Sequence, residues 1–273
     1  MKKFLIFAIA TLGMLACTGQ NQVDNGENDP SNQIINGALP GKFSISDNKQ
    51  VQFSQGNLRY QIETGTWSFA EQQYDIIGPT DKGGYKLSDG WIDVFGWGTG
   101  DNPVKSSQKN EEYGTFVDWG QNQISNGRSY SWRTLTEEEW SYLYNGREGA
   151  EFLYSCGIIE GIFGIIFLPD NWSANAPYDV MVSYGETYSL ADWEKLEKAG
   201  AVFLPAAYTS YIIKEVQIMG RYWSASPEED NNVDYGAYSF HFYRKDGDWY
   251  AVGGGYYGRS VKHSVRLVRD VPK

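Results

Sequence analysis

Apolar and polar residues alternate with a period of two in short stretches all along this chain, and only twice do they keep the period of a helix. Val51-Gln52-Phe53 and Leu58-Arg59-Tyr60 alternate on either side of Gln55-Gly56-Asn57, which predicts two short strands within residues 42–60. Thr66-Trp67-Ser68-Phe69 predicts another. Residues 158–168 are strongly apolar but are broken by Glu160, Gly161 and Gly164. Such a run is too short to span a bilayer, and its glycines predict a buried hairpin. The last third predicts strands at residues 201–204, 238–243, 249–252 and 261–268. In the second of these, Tyr238, Phe240 and Phe242 share one face, and Ser239, His241 and Tyr243 share the other.

The first helix opens on Thr136-Glu137-Glu138-Glu139, a capping box with Thr136 as N-cap and Glu139 reaching back to it. Trp140 and Leu143 follow on one face, and Gly146 ends it. The second starts at Ser189, carries Leu190, Trp193 and Leu196 at helical spacing, and stops at Gly200. Residues 78–126 are Gly, Asp, Ser and Asn around Trp91, Phe95, Trp97 and Trp119. A connection that long reads as packed loops with aromatic anchors. The expected class is α+β: two helices, short antiparallel strands and long structured loops, in one domain over residues 41–273.

The first forty residues have a different character. Residues 1–16 have the layout of a secretory signal, with Lys2 and Lys3 ahead of an apolar run from Phe4. Met14-Leu15-Ala16-Cys17 resembles a bacterial lipobox, which implies acylation of Cys17 and attachment to a membrane through the lipid. Residues 17–40 are polar and acidic and read as a flexible tether. The expected location is the outer membrane, facing outward. Loss of Lys2 and Lys3 with the signal takes the formal charge from −11 to −13. A domain this acidic repels phosphate backbones, so nucleic acid is excluded as a partner.

Aromatic residues make up 16% of the chain, including 10 Trp and 20 Tyr, which favours strands and structured loops over helices. With Cys17 acylated, Cys156 stands alone in the apolar stretch Leu153-Tyr154-Ser155-Cys156-Gly157-Ile158. A lone thiol without a nearby His or cation reads as a small core residue.

Five segments in order carry a resemblance. They are Trp132-Arg133-Thr134-Leu135-Thr136-Glu137-Glu138-Glu139-Trp140, Ile166-Phe167-Leu168-Pro169-Asp170-Asn171-Trp172, Gly200-Ala201-Val202-Phe203-Leu204-Pro205-Ala206-Ala207, Gly220-Arg221-Tyr222-Trp223-Ser224-Ala225-Ser226 and Ser264-Val265-Arg266-Leu267-Val268-Arg269. This series is similar to the paralogous surface lipoproteins of Bacteroides and Fibrobacter, and covers residues 42–269. The resemblance implies a C-type lectin-like fold, shared with the formylglycine-generating enzymes, in which the first and last strands meet. It does not carry over those enzymes' copper-binding cysteines, because the mature chain offers only Cys156 beside the lipid cysteine.

Other motifs reduce to structure. Gly253-Gly254-Gly255-Tyr256-Tyr257-Gly258 fits the Gly-x-Gly-x-x-Gly spacing, but a strand-like pattern follows where a phosphate-binding helix is required, so it reads as a turn. Glu228-Glu229-Asp230-Asn231-Asn232 with Asp234 offers oxygens for calcium, and reads first as a solvated acidic loop. His241 and His263 read as separate strand histidines rather than a metal pair, and Glu137, Glu138 and Glu139 as helix-start acids. No cofactor is expected.

What remains is a surface of aromatic loops. Tyr and Trp rings stack on sugars and also dominate protein interfaces. The segment from residue 208 to 234 is expected to be a binding loop, with Tyr208 and Tyr211 supplying ring faces and Glu228 supplying acceptors. Failing that, the expected location is among Trp91, Trp97 and Trp119. The function expected is a non-catalytic surface binding protein or adhesin for a glycan or protein ligand. The alternative is a structural or fimbria-associated surface component; an enzyme ranks last. Labelled palmitate is expected to enter the wild-type protein and to be absent from Cys17→Ser. Equal labelling of both, or of neither, contradicts acylation at Cys17.

Overall fold

A computed structural model describes residues 36–78, 88–127, 131–212, 215–228, 235–245 and 248–272, with the side chains of residues 208–217, 245, 249, 251 and 252 left aside. The signal segment, Cys17 and most of the tether lie outside the described residues, as do the acids at 229–234. The chain is mixed α+β, mostly sheet with few helices.

In chain order, β1 (Phe43–Ser46), β2 (Lys49–Phe53), β3 (Leu58–Gln61) and β4 (Thr66–Phe69) come first, followed by the two-residue strands β5 (Trp91–Ile92) and β6 (Val94–Phe95). Helix α1 (Glu137–Ser141) precedes the hairpin of β7 (Tyr154–Ile159) and β8 (Ile162–Phe167). A four-residue helix α2 (Trp172–Asn175), strand β9 (Glu186–Tyr188) and helix α3 (Leu190–Lys198) follow. The chain then runs through β10 (Val202–Pro205), β11 (Tyr208–Ile212), β12 (Glu215–Pro227), β13 (Gly236–Lys245) and β14 (Asp248–Gly258). It closes with β15 (His263–Ser264) and β16 (Val268–Asp270).

The alternating stretches became strands because their apolar faces found partners. Residues 158–168 form the expected hairpin, turning at Glu160 and Gly161, both at positive φ, the mirror-image turn that matches strand twist. It is flanked by β9 and β10 in the sheet order β10-β8-β7-β9. The first and last strands meet as expected: β16 pairs antiparallel with β2, with Val268 opposite Phe53, while β1 lies on the other side of β2. Backbone bonds of 2.9 Å in both directions between Arg133 and Val268 extend this clasp. Arg133 also bridges Glu139 at 2.6 Å and Asp270 at 2.8 Å, so the acid that closes the capping box also ties the helix start to the chain's last strand.

Four expectations fail locally. There are three described helices rather than two, and the first passes from α into a π turn at Tyr142–Gly146. Of the second helix's stripe, Trp193 and Leu196 are buried while Leu190, in its first turn, is 41% exposed. Residues 261–268 are not one strand: β15 and β16 are separate, and the buried segment between them carries Arg266. Finally, Gly253 to Gly258 is no turn. It continues β14, with Gly253 at φ +57 where the register shifts against β13. A bulge of this kind accommodates an extra residue without ending the strand.

Three apolar clusters form the core. The first packs α1 and the β7–β8 hairpin against Tyr222, Phe240 and Phe242, with Trp140 stacked on Phe240 at 5.1 Å and 11°. The second gathers Trp67, Trp97, Trp119, Trp132 and Trp223, and the third seats α3 through Trp193 and Leu196. Among them runs a buried polar network. Arg266 donates to Gln73 at 2.8 Å and to Asn57 at 3.4 Å. Gln73 donates to Glu197 at 2.9 Å and accepts from the Phe203 N–H at 2.8 Å, while Asn57 donates to the Tyr222 hydroxyl at 3.2 Å. Burial pulls the Arg266 guanidinium down to about 10 and raises Glu197, against the opposing pull of the pair's attraction.

Trp140 and Cys156 sit in the first cluster, and burial pushes the Cys156 thiol up to about 12. Trp140→Ala is expected to cost about 3–5 kcal/mol in a denaturant titration, the range for removing a large buried aromatic. A thiol reagent is expected to leave Cys156 unmodified until denaturant is added; rapid native-state reaction would contradict the packing described.

Candidate functional site

The six-stranded sheet, ordered β14-β13-β12-β15-β6 with β11 added beside β12, has two unlike faces. Strand alternation sends Tyr222, Phe240 and Phe242 into the first cluster. The opposite face holds Met219, Arg221 and Trp223 on β12, Ser239, His241 and Tyr243 on β13, and Tyr250, Gly255 and Tyr257 on β14. At the β15 end this face is sealed: Trp223 is buried beneath His263 at 4.0 Å and donates from Nε1 to the Phe95 carbonyl at 2.7 Å. Toward the other end it opens. Tyr243 is half-buried, Tyr250 is 41% exposed, and their rings stack at 4.9 Å and 19°.

Charge gathers between these ends. The Arg221 guanidinium lies over the Tyr257 ring at 4.4 Å and donates to the Met219 sulfur at 3.2 Å. His241 meets the same ring edge-on at 6.0 Å and His263 meets it at 4.9 Å. Burial lowers the pKa of both histidines, and Arg221 adds to the effect in each case. Both nitrogens of His263 are buried without a hydrogen-bond partner, as is Nδ1 of His241. The two histidines, read from the sequence as separate, therefore meet the same tyrosine ring beside Arg221. Among the described residues, no group of three or more His, Cys, Asp or Glu side chains is placed to hold a metal ion.

The expected binding loop is not a loop. Residues 208–212 and 215–227 are strands, because Tyr-Thr-Ser-Tyr-Ile and Val-Gln-Ile-Met carry strong β preference. Tyr208 is in register with Met219 and Tyr211 with Val216, so the two positions belong to opposite faces of the ladder. Register places position 208 at the head of the row Met219, Tyr243, Tyr250; the side chains of Tyr208 and Tyr211 lie outside those described. Glu228 lies beyond the far end of β12, where its backbone N–H bonds the Gly236 carbonyl at 3.1 Å. A thirteen-residue strand separates it from Tyr211, roughly 35–40 Å at the usual rise per residue. The three expected residues are therefore not brought together.

Of the fallback residues, Trp91 is half-buried and Trp119 is buried. Trp97 is buried and walls a hollow of about 430 Å³, shared with Asp101, Asn102, Lys105, Glu112 and Thr115. Three of the donors there are already used. Trp97 Nε1 bonds the Ser224 carbonyl, Thr99 bonds the Gly96 carbonyl, and the Lys105 ammonium bonds the Glu112 carbonyl and lies 4.6 Å over Tyr113.

Sequence reasoning missed Arg221, Tyr243, Tyr250 and Tyr257 as site residues. A signal for one pair was present: the dipeptide Asp246-Gly247 favours a two-residue hairpin, which predicts 243 opposite 250, the register that β13 and β14 have.

The buried histidines generate a pH dependence. An unfolded-chain histidine titrates near 6.5, and His263 when folded titrates well below that. Above pH 6.5 the group is neutral in both states. As pH falls below 6.5, the unfolded chain takes up a proton that the folded chain refuses, so stability is lost. His241 acts in the same direction. Denaturation midpoints are expected to fall from pH 7.5 to pH 5, and to fall less in His263→Phe, which retains a ring on Trp223. Parallel profiles would contradict this assignment. No protein-family model matches this chain, and neither a curated protein nor a solved structure does.

Proposed function

We propose that this chain is a non-catalytic, lipid-anchored binding protein of the outer cell surface, with a C-type lectin-like domain that takes a glycan on the outer face of its six-stranded sheet. The observation that carries the reading is the Tyr243–Tyr250 stack, a pair of cross-strand rings packed on each other with Tyr250 exposed, on the same sheet face as Arg221 and Tyr257. Flat aromatic surface stacks against the apolar faces of sugar rings, and neighbouring polar groups fix orientation. The pairing of the first and last strands, the long loops anchored by Trp97, Trp119 and Trp132, and the helix at Glu137 support a lectin-like arrangement. The run Met14 to Cys17 supports the anchor.

A second reading, a structural or fimbria-associated subunit, is favoured by one feature. Strand β14, eleven residues long, has β13 on one side and forms the sheet's edge, where an extended segment of another protein can add a strand.

A glycan array with soluble Cys17→Ser protein, alongside a pull-down from the native envelope, separates the two. The first reading expects a glycan whose affinity falls at least tenfold in Tyr243→Ala/Tyr250→Ala, about the loss of one aromatic stacking contact. Tyr211→Ala is expected to leave that affinity unchanged. Undiminished binding by the double variant places the site elsewhere, beginning with the hollow beside Trp97. A protein partner captured in the absence of any glycan favours the subunit reading.

A further inference from the structure

Beyond the end of α1, three tyrosines and a thiol stand close together. Tyr144 comes from the π turn, Tyr154 and Cys156 from β7, and Tyr184 from the segment that leads into β9. The Tyr144 and Tyr154 rings lie 4.8 Å apart at 44°, and the Tyr154 hydroxyl donates to the Tyr144 hydroxyl at 3.3 Å. The hydroxyl ends are therefore closer to each other than the ring centres are. Tyr184 shares a hydrogen bond with the Cys156 thiol. It is 53% exposed, whereas Tyr144 and Tyr154 are half-buried and Cys156 is buried. Two irregularities of the backbone frame Tyr144. A π turn resets the facing of the residues within it, and such turns recur at functional sites. Beside the ring lies Gly253, at φ +57 in β14, where a Cβ would stand 3.4 Å from Tyr144. Burial raises the Tyr144 and Tyr184 phenols, and Tyr154 and Cys156 respectively add to it, so both stay protonated at neutral pH. An electron taken from such a phenol leaves together with its proton.

We propose that Tyr144 and Tyr154 form an oxidative modification site, at which hydrogen peroxide and a haem peroxidase join the two rings in a dityrosine. Each phenol gives up one electron and one proton and becomes a phenoxyl radical, with part of its spin on the ring carbons flanking the oxygen. The short hydroxyl contact brings those carbons of the two rings near each other. One carbon of each ring bonds to the other, and the hydrogen displaced from each returns to its own oxygen. The two hydrogens removed reduce one peroxide to two waters, so two tyrosines and one peroxide give one dityrosine and two waters. The new bond closes the loop from residue 144 to 154 and fastens the π turn to β7. A cross-link of this kind restricts the unfolded chain, and among the described residues no disulfide does so. The site stands apart from the outer sheet face and does not depend on the glycan reading.

Soluble Cys17→Ser protein treated with a haem peroxidase and limiting hydrogen peroxide, then digested and mapped by mass spectrometry, tests the proposal. The expected product is a monomer lighter by two hydrogens, with Tyr144 and Tyr154 in its cross-linked peptides, dityrosine fluorescence and a raised denaturation midpoint. Tyr144→Phe and Tyr154→Phe, which each keep a ring in place, are expected to lose this product while their near-UV circular dichroism matches the parent. Tyr243 and Tyr250 provide the comparison, because their rings are about as near, at 4.9 Å, and Tyr250 is 41% exposed. Cross-linking confined to that pair, or to bonds between molecules, overturns the proposal. A Tyr184–Cys156 thioether in place of the dityrosine does the same. So does a protein left unchanged while free tyrosine in the same tube is coupled. The peptide map of the parent protein decides the matter even where a variant fails to fold.

Discussion

A guanidinium with almost no access to water sits where the parts of this protein meet. Arg266 lies between β15 and β16, and its partners come from remote parts of the chain: Asn57 before β3, Gln73 after β4 and, through Gln73, Glu197 at the end of α3. Burying a cation is costly unless it is hydrogen-bonded, so the fold is constrained to keep these amides in place. Gln73 serves two sides at once, with its oxygen taken by Arg266 and the Phe203 N–H and its nitrogen given to Glu197 and the Ala201 carbonyl. Asn57 passes the network on to Tyr222, whose hydroxyl donates to the Pro205 carbonyl. The three apolar clusters supply the bulk of the packing, and this network fixes how they sit against one another.

Its consequence for function lies on β12. Tyr222 is tied inward by the Asn57 and Pro205 bonds, which sets the facing of the whole strand. With Tyr222 inward, Arg221 and Trp223 must face outward, since neighbours on a strand alternate. Trp223 is then covered by His263 and the second cluster, while Arg221 is left over the Tyr257 ring, which itself packs against His263. The aromatic face around Arg221 is thus the outward counterpart of a buried polar constraint.

Much of this was legible along the chain. Thr136 and Glu139 announce a capping box through local chemistry, and the structure contains both of its bonds. Glu160-Gly161 announces a turn, and Val51-Gln52-Phe53 a strand, because each preference acts over a few residues. The grouping of Tyr208, Tyr211 and Glu228 was not legible. Their closeness in sequence suggested a loop, and a strand pulls them to opposite faces and opposite ends. His241 and His263 show the converse: twenty-two positions apart in sequence, they meet the same tyrosine ring.

The sequence by itself determined the local elements, the mixed class, the acidic charge and the burial of Trp140, Trp193 and Cys156, since each follows from short-range periodicity or composition. Only the tertiary structure decided which strands are neighbours, which face of β12 looks outward, and that Arg266 is a buried hub rather than a surface charge. It also brought Arg221, His241, Tyr243, Tyr250 and Tyr257 onto one surface. The physical reason is that cross-strand register is a long-range property. It is set by the sum of buried contacts and satisfied polar groups across the whole sheet, and no short window of residues carries that sum.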